Sequence, residues 1–127
     1  MKSFFRGFIY AFQGIAHVVR TQRNARVHLA FMGAVIAAGL YFRVSALEWA
    51  ILALTMSVVF SAEILNTAME LQVDLATSTF DPRAKAAKDA GAGAVLVTAL
   101  GAIAVGVAIF GPRLGALVMT GIYTVFK

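Results

Sequence analysis

The chain has 127 residues, 61% hydrophobic and only 13% charged, with a mean hydropathy of +0.84. Soluble domains carry about 25% charged residues, so the composition excludes an ordinary water-soluble domain and predicts a single all-α membrane domain. The absence of cysteine excludes a disulfide framework or a thiolate site. The net charge of +5 collects near expected membrane ends, which favours anionic lipid or nucleotide phosphate over nucleic acid as a partner.

Residues 1–26 read as an interfacial helix and a polar elbow. Phe4, Phe5, Phe8, Phe12, Ile15 and Val19 share a broad face, while Arg6, Gln13, His17 and Arg20 lie mostly opposite. Too many polar groups interrupt the segment for it to span, so it is expected to lie in the membrane interface. A cleavable leader is the rival reading, but Gln13 and His17 break its apolar stretch and no small-x-small cleavage site follows. The elbow is Arg20-Thr-Gln-Arg-Asn-Ala-Arg26.

A first span is expected over 27–44. Its uninterrupted apolar part, Leu29 to Phe42, is only about 21 Å long, so Val27, His28 and Val44 are needed to approach the roughly 30 Å hydrocarbon core. Arg43-Val-Ser-Ala-Leu-Glu48 reverses the chain, and Trp49 beside it suits an interfacial anchor.

The second span, 47–73, carries the most informative feature, Glu63-Ile-Leu-Asn66-Thr-Ala-Met-Glu70-Leu-Gln-Val-Asp74. At about 100° per residue, Glu63, Asn66, Glu70 and Asp74 fall within about 80° of one another. Polar residues in a span can simply hydrogen-bond helices together, and for Asn66 alone that reading competes evenly. Two glutamates and an aspartate in register are too costly at membrane depth to serve as glue, and mark a functional site.

Asp81-Pro82 predicts a helix start, with Asp as N-cap and Pro at the first helical position. The third span, 90–110, follows Arg83, Lys85, Lys88 and Asp89. Small residues at Ala90, Ala94, Thr98, Ala102 and Gly106 invite close helix approach, in a tight bundle or an oligomer. Gly111-Pro112-Arg113 is expected to end this span, leaving an extra apolar tail at 114–126.

Lys2, Arg6, Arg20, Arg23, Arg26, Arg83, Lys85 and Lys88 collect on one side, and Arg43, Arg113 and Lys127 on the other. The positive-inside rule then makes the amino terminus and the loop near residue 80 cytoplasmic. His28, Glu70, Asp74, Lys88 and Asp89 share that cytoplasmic level, with Glu63 about 10 Å deeper. Such a boundary sees nucleotide on one side and lipid headgroups on the other. Lys88 can meet phosphate, Glu70 can hold Mg²⁺ with another oxygen ligand, and Glu63 lies where a lipid alcohol presents its hydroxyl to a base. Lys88-Asp89 can equally be a local ion pair. No soluble-type phosphate loop occurs.

Glu63-x-x-Asn66-Thr67-Ala-x-Glu70-x-x-x-Asp74, followed by Ala84-Lys-x-x-Lys88-Asp89-x-Gly91, resembles the small bacterial integral-membrane lipid kinases, diacylglycerol kinase and undecaprenol kinase. The resemblance covers roughly residues 3–110 and includes Tyr10-Ala-Phe-x-Gly14; Asn24-x-x-Val27-His28 looks more like the undecaprenol-kinase branch. It implies a homotrimer of chains with a surface helix and three spans, in the cytoplasmic membrane, that phosphorylates a lipid alcohol with ATP and Mg²⁺. It implies Glu63 as base, Glu70 as metal ligand and Lys88 as phosphate contact. Asp74, Asp89 and Asn66 would orient these groups, and Gly91 would allow close helix approach. Where the family carries a metal-binding Glu before the first span, this chain has Gln22; His28 is then a further candidate ligand. A non-catalytic or degenerate membrane scaffold of the same fold is the alternative that Gln22 raises.

Overall fold

In a computed structural model the chain is all-helical. Residues 2–125 are described, with side chains from Phe4 to Met119. The helices are α1 (Lys2–Thr21), α2 (Arg23–Tyr41), α3 (Ala46–Ala76) and α4 (Pro82–Val125). The expected elbow shrinks to one non-helical residue, Gln22, whose extended backbone separates α1 from α2. Arg26 secures the bend by donating to the terminal carbonyls of α1, Val19 O at 3.2 Å and Arg20 O at 3.0 Å. These are among the carbonyls that a helix end leaves without intrahelical partners.

α1 buries little besides Val18 and leaves Phe4, Phe5, Phe8 and Phe12 more than half exposed. Such a display suits an interfacial helix rather than a water-facing one. α3 and α4 share the largest interface, with α2 against α3. Two helices, Ala46–Ala76 and Pro82–Met119, are long and apolar enough to cross a membrane. α2 has 19 residues and opens on Arg23, Arg26 and His28, which dilute its apolar run.

The α2–α3 turn shows how side chains terminate these helices. Arg43 takes a left-handed backbone at φ 51°. Val44 N–H donates to Gly39 O and Arg43 N–H to Leu40 O, the pairing of a Schellman motif. Ser45 then opens α3 with a capping box: its hydroxyl accepts from Glu48 N–H, and its own N–H donates to Glu48 Oε2 at 2.8 Å. Asp81 caps α4 by accepting from Arg83 N–H at 2.7 Å. The Arg83 side chain beside it holds the Asp81 carboxyl below its ordinary range.

Trp49 at the start of α3 lays its ring on Gly39 of α2, where an added Cβ would come within 2.7 Å of it. Only glycine lets the indole approach that closely. Of the small-residue ladder, Thr98, Ala102 and Gly106 are half-buried within one chain, while Ala90 and Ala94 are exposed beside buried Gly91 and Val95. At 100° per residue a strict four-residue repeat drifts around the helix. One expectation is corrected: the helix does not end at Gly111-Pro112-Arg113 but continues through it, with Pro112 inside α4. Proline removes one backbone donor there, but the Arg113 guanidinium bonds both the Ile109 carbonyl, at 2.5 Å, and Glu48. The guanidinium thus ties this turn of α4 to the start of α3. The expected tail at 114–126 is thus helical as far as Val125; Phe126 and Lys127 lie outside the described residues.

The apolar core gathers at this far end. Val44, Leu52, Ile109 and Phe110 are buried together, with Val35, Phe42, Trp49 and Met56 packed around them.

Candidate active site

At the opposite end the α3–α4 interface holds polar groups. α3 presents Glu63, Asn66 and Glu70 on one stripe, as the spacing predicts. Glu63 is only 2% exposed and Thr67, one turn on, 1%. Thr67 resolves its own burial by donating to the Glu63 carbonyl at 2.9 Å. Asn66 donates through Nδ2 to Glu70 Oε1 at 3.0 Å, which fixes the orientation of that carboxylate.

Among the described residues, two buried side-chain oxygens remain without a hydrogen-bond partner, Glu63 Oε2 and Asn66 Oδ1. Burying a polar atom without a partner costs on the order of 1–3 kcal/mol. These atoms are therefore candidates for contact with something that is not part of the folded chain. His28 of α2 and Glu70 are titratable groups close enough to Glu63 for an electrostatic interaction. His28 is half-buried on α2.

α4 comes close at Gly91. A Cβ there would collide with Asn66 Oδ1 and stand 3.3 Å from Met69 Sδ. The glycine thus lets the α4 backbone lie directly on Asn66. One turn nearer the loop, Lys88 reaches across to α3 and donates to Asp74 Oδ1 at 2.5 Å.

The structure separates other expected partners. Asp89 does not join Lys88; it pairs with Lys85 along the exposed side of α4. Adjacent helical residues point about 100° apart, so only one of the two can face α3. Asp74 is the counter-ion of Lys88, a role that suits a carboxylate better than contact with an anionic phosphate. Gln22 is half-buried at the α1–α2 break and makes no capping hydrogen bond. Among the described residues, no three of His, Asp and Glu gather as a metal-binding cluster. The donor set nevertheless fits a hard ion. Glu70 offers carboxylate oxygens and Asn66 an unpartnered amide oxygen, and Mg²⁺ takes one or two carboxylates and completes its shell with water and phosphate.

The residues missed in the sequence are Arg113 with Glu48 and the hold of Arg26 on α1. Ser45-Ala-Leu-Glu48 was legible as a capping box; nothing in the sequence paired Glu48 with a residue 65 positions away.

The family model for prokaryotic diacylglycerol kinase matches residues 9–110. An undecaprenol kinase from Bacillus subtilis (strain 168) is 45% identical over 114 residues, covering 90% of this chain and 93% of that protein. A diacylglycerol kinase from Synechocystis sp. is 42% identical over 113 residues, covering 88% of this chain and 65% of that longer protein. These matches contain the Glu63–Asp74 stripe and the Lys88–Gly91 segment, and they support a membrane-associated lipid kinase as the coarse activity. The chain belongs to the prokaryotic diacylglycerol kinase family.

Proposed function

We propose that this chain is an ATP-dependent kinase of a membrane lipid alcohol, undecaprenol or diacylglycerol, acting at the cytoplasmic boundary of the inner membrane. The observation that carries the reading is Glu63. It is a carboxylate buried in an apolar bundle, with one oxygen unpartnered, one stripe away from a cation-bearing helix start. A purely structural carboxylate at that depth would be paired.

In this mechanism Glu63 Oε2 accepts the proton of the lipid hydroxyl. The freed oxygen attacks the γ-phosphorus of ATP, the bond from that phosphorus to the bridging oxygen breaks, and ADP leaves. Lys88 releases Asp74 and contacts the phosphates. An exposed ion pair is worth only about 0–1 kcal/mol, so the exchange costs little. Glu70, oriented by Asn66, would hold Mg²⁺ with phosphate oxygens, and Gln22 or His28 would supply a further ligand. The ion's part is to neutralise charge on the transferring phosphoryl group. Asp89 steadies Lys85 at the start of α4. The amino terminus and the 77–81 loop face the cytoplasm, α2 completes three spans, and chains assemble as the homotrimer that the resemblance implies.

The test is phosphate transfer from γ-labelled ATP by purified protein in vesicles supplied with undecaprenol, diacylglycerol or a lipid extract. Labelled lipid phosphate is expected. Nucleotide-independent behaviour, or no labelled lipid from any of the three, would overturn the reading.

A further inference from the structure

We infer that α1 carries a binding site for one anionic phospholipid, with the headgroup phosphate between His17 and Arg20 and the upper part of the lipid chains on Ile9, Phe12 and Ala16. These residues, with Gln13, line a groove of about 670 Å³ along the helix. At about 100° per residue, Gln13, His17 and Arg20 fall within about 60° of one another, on one edge of α1. Buried Val18 marks the other edge, and exposed Phe4, Phe5, Phe8 and Phe12 lie between the two. The helix thus meets three surroundings: protein at Val18, hydrocarbon at the phenylalanines, and the headgroup layer at the edge with the groove. Ile9, Phe12 and Ala16 beside that polar edge form the place where a lipid passes from tail to headgroup.

The polar edge calls for an anion. Residues 1–47 contain Lys2, Arg6, Arg20, Arg23, Arg26 and Arg43 but no Asp or Glu; the first carboxylate of the chain is Glu48. Among the described residues, Arg20 takes part in no ion pair. A guanidinium gives phosphate charge-assisted hydrogen bonds, and an imidazole offers at least one N–H in either protonation state. His17 and Arg20 stand about 4.5 Å apart along the helix, and the Gln13 amide, one turn back, can donate to a headgroup hydroxyl or an ester oxygen. A helix C-terminus ordinarily repels an anion. Here Arg26 covers the Val19 and Arg20 carbonyls, and the Thr21 hydroxyl is spent on the His17 carbonyl, so the end of α1 presents cations instead. The occupant is a lipid and not a soluble phosphate, because Ile9 and Phe12 are more than half exposed and a soluble anion would leave their apolar surface in water. A zwitterionic headgroup would bring its own cation beside Arg20. An anionic one does not, and each Lys or Arg near an anionic membrane surface raises affinity about fivefold. At about 30 Å³ per group, the liquid volume of a water molecule, the groove takes on the order of twenty such groups, the size of one phosphoglycerol headgroup with its glycerol backbone.

Phosphatidylglycerol carrying a diazirine near the top of one acyl chain, photolysed with the full-length protein in phosphatidylcholine vesicles, tests this without reference to phosphate transfer. Label is expected on Ile9, Phe12 or Ala16. Unlabelled phosphatidylglycerol should suppress it at a mole fraction about fivefold lower than added phosphatidylcholine requires. Arg20→Gln should lower the capture about fivefold and remove the preference between the two lipids, and His17→Ala combined with it should abolish the label on α1. Arg23→Gln removes a cation from the same level of the chain but not from the groove, and should leave the label intact. Equal suppression by the two lipids, or equal loss from Arg20→Gln and Arg23→Gln, would reduce the effect to general attraction between a basic segment and an anionic surface and overturn the site. Suppression by inorganic phosphate or ATP would make the edge a site for soluble anions and overturn it equally.

Discussion

The two ends of the bundle treat buried polar groups in opposite ways. At the far end Glu48 receives both arms of the Arg113 guanidinium at 2.9 Å as well as Ser45 N–H. Around that pair sits the apolar core of Val44, Leu52, Ile109 and Phe110. At the other end Glu63 and Asn66 are buried with an oxygen each left over, and Lys88 is held only by an exposed carboxylate. A polar group satisfied by its own chain contributes stability. One left unsatisfied costs stability unless a ligand answers it. Stability is therefore expected to reside at the far end and chemistry at the site end, and substitutions at the two should separate cleanly.

The largest effect belongs to Glu63→Gln. It keeps the shape and removes the base, so turnover should fall about 10²–10⁴-fold, while nucleotide binding and thermal unfolding change little. Near-normal turnover in correctly assembled protein would remove Glu63 from the role.

Lys88→Ala follows. Phosphate contacts strengthen as charge develops, so kcat should fall and the ATP KM rise, together lowering kcat/KM by about 10–100-fold. The partner variant Asp74→Asn sharpens the point. It frees Lys88, and the ATP KM should fall or hold; a rise as large as that of Lys88→Ala would make Asp74 a positioning residue of the nucleotide site.

Arg113→Met should act at the other end alone. It leaves Glu48 partly buried without its cation, and loss of charged hydrogen bonds of this kind costs about 1–3 kcal/mol. Denaturation in detergent should report the loss, with both KM values unchanged. A shift in the ATP KM would show that the two ends are coupled.

Gln22→Glu probes the departure from the family. A carboxylate is a better Mg²⁺ ligand than an amide, so the Mg²⁺ concentration for half-maximal activity should fall with little change in lipid KM. An unchanged titration would mean that the α1–α2 break does not reach the ion.

The smallest effect is expected at the turn. Arg43 holds a left-handed conformation that glycine adopts without penalty. Arg43→Gly should stabilise the protein by up to about 1 kcal/mol, the left-handed penalty of about 1–2 kcal/mol less glycine's own backbone entropy, read as a small rise in Tm with activity intact.

Much of this was legible in the residues themselves. A run of apolar sequence cannot stay in water, so membrane helices followed from composition. Helical periodicity at 100° per residue aligned Glu63, Asn66 and Glu70 before any coordinates were needed, and Asp81-Pro82 announced the start of α4 through local backbone chemistry. The Lys88-Asp89-x-Gly91 segment on the next helix was linked to that stripe only by the family resemblance. The other features are local, or depend on one helix's own geometry, and a sequence carries such information directly.

Only the tertiary structure decided which of two adjacent charged residues, Lys88 or Asp89, turns toward α3, because that depends on the rotation of α4 about its axis. It decided that the Trp49 ring rests on Gly39, and that Arg113 ties α4 beside Pro112 to Glu48. It also left Glu63 Oε2 and Asn66 Oδ1 without partners. Each of these is a contact, or a missing contact, between helices distant in the chain. Its energy depends on how those helices pack, which no single segment specifies.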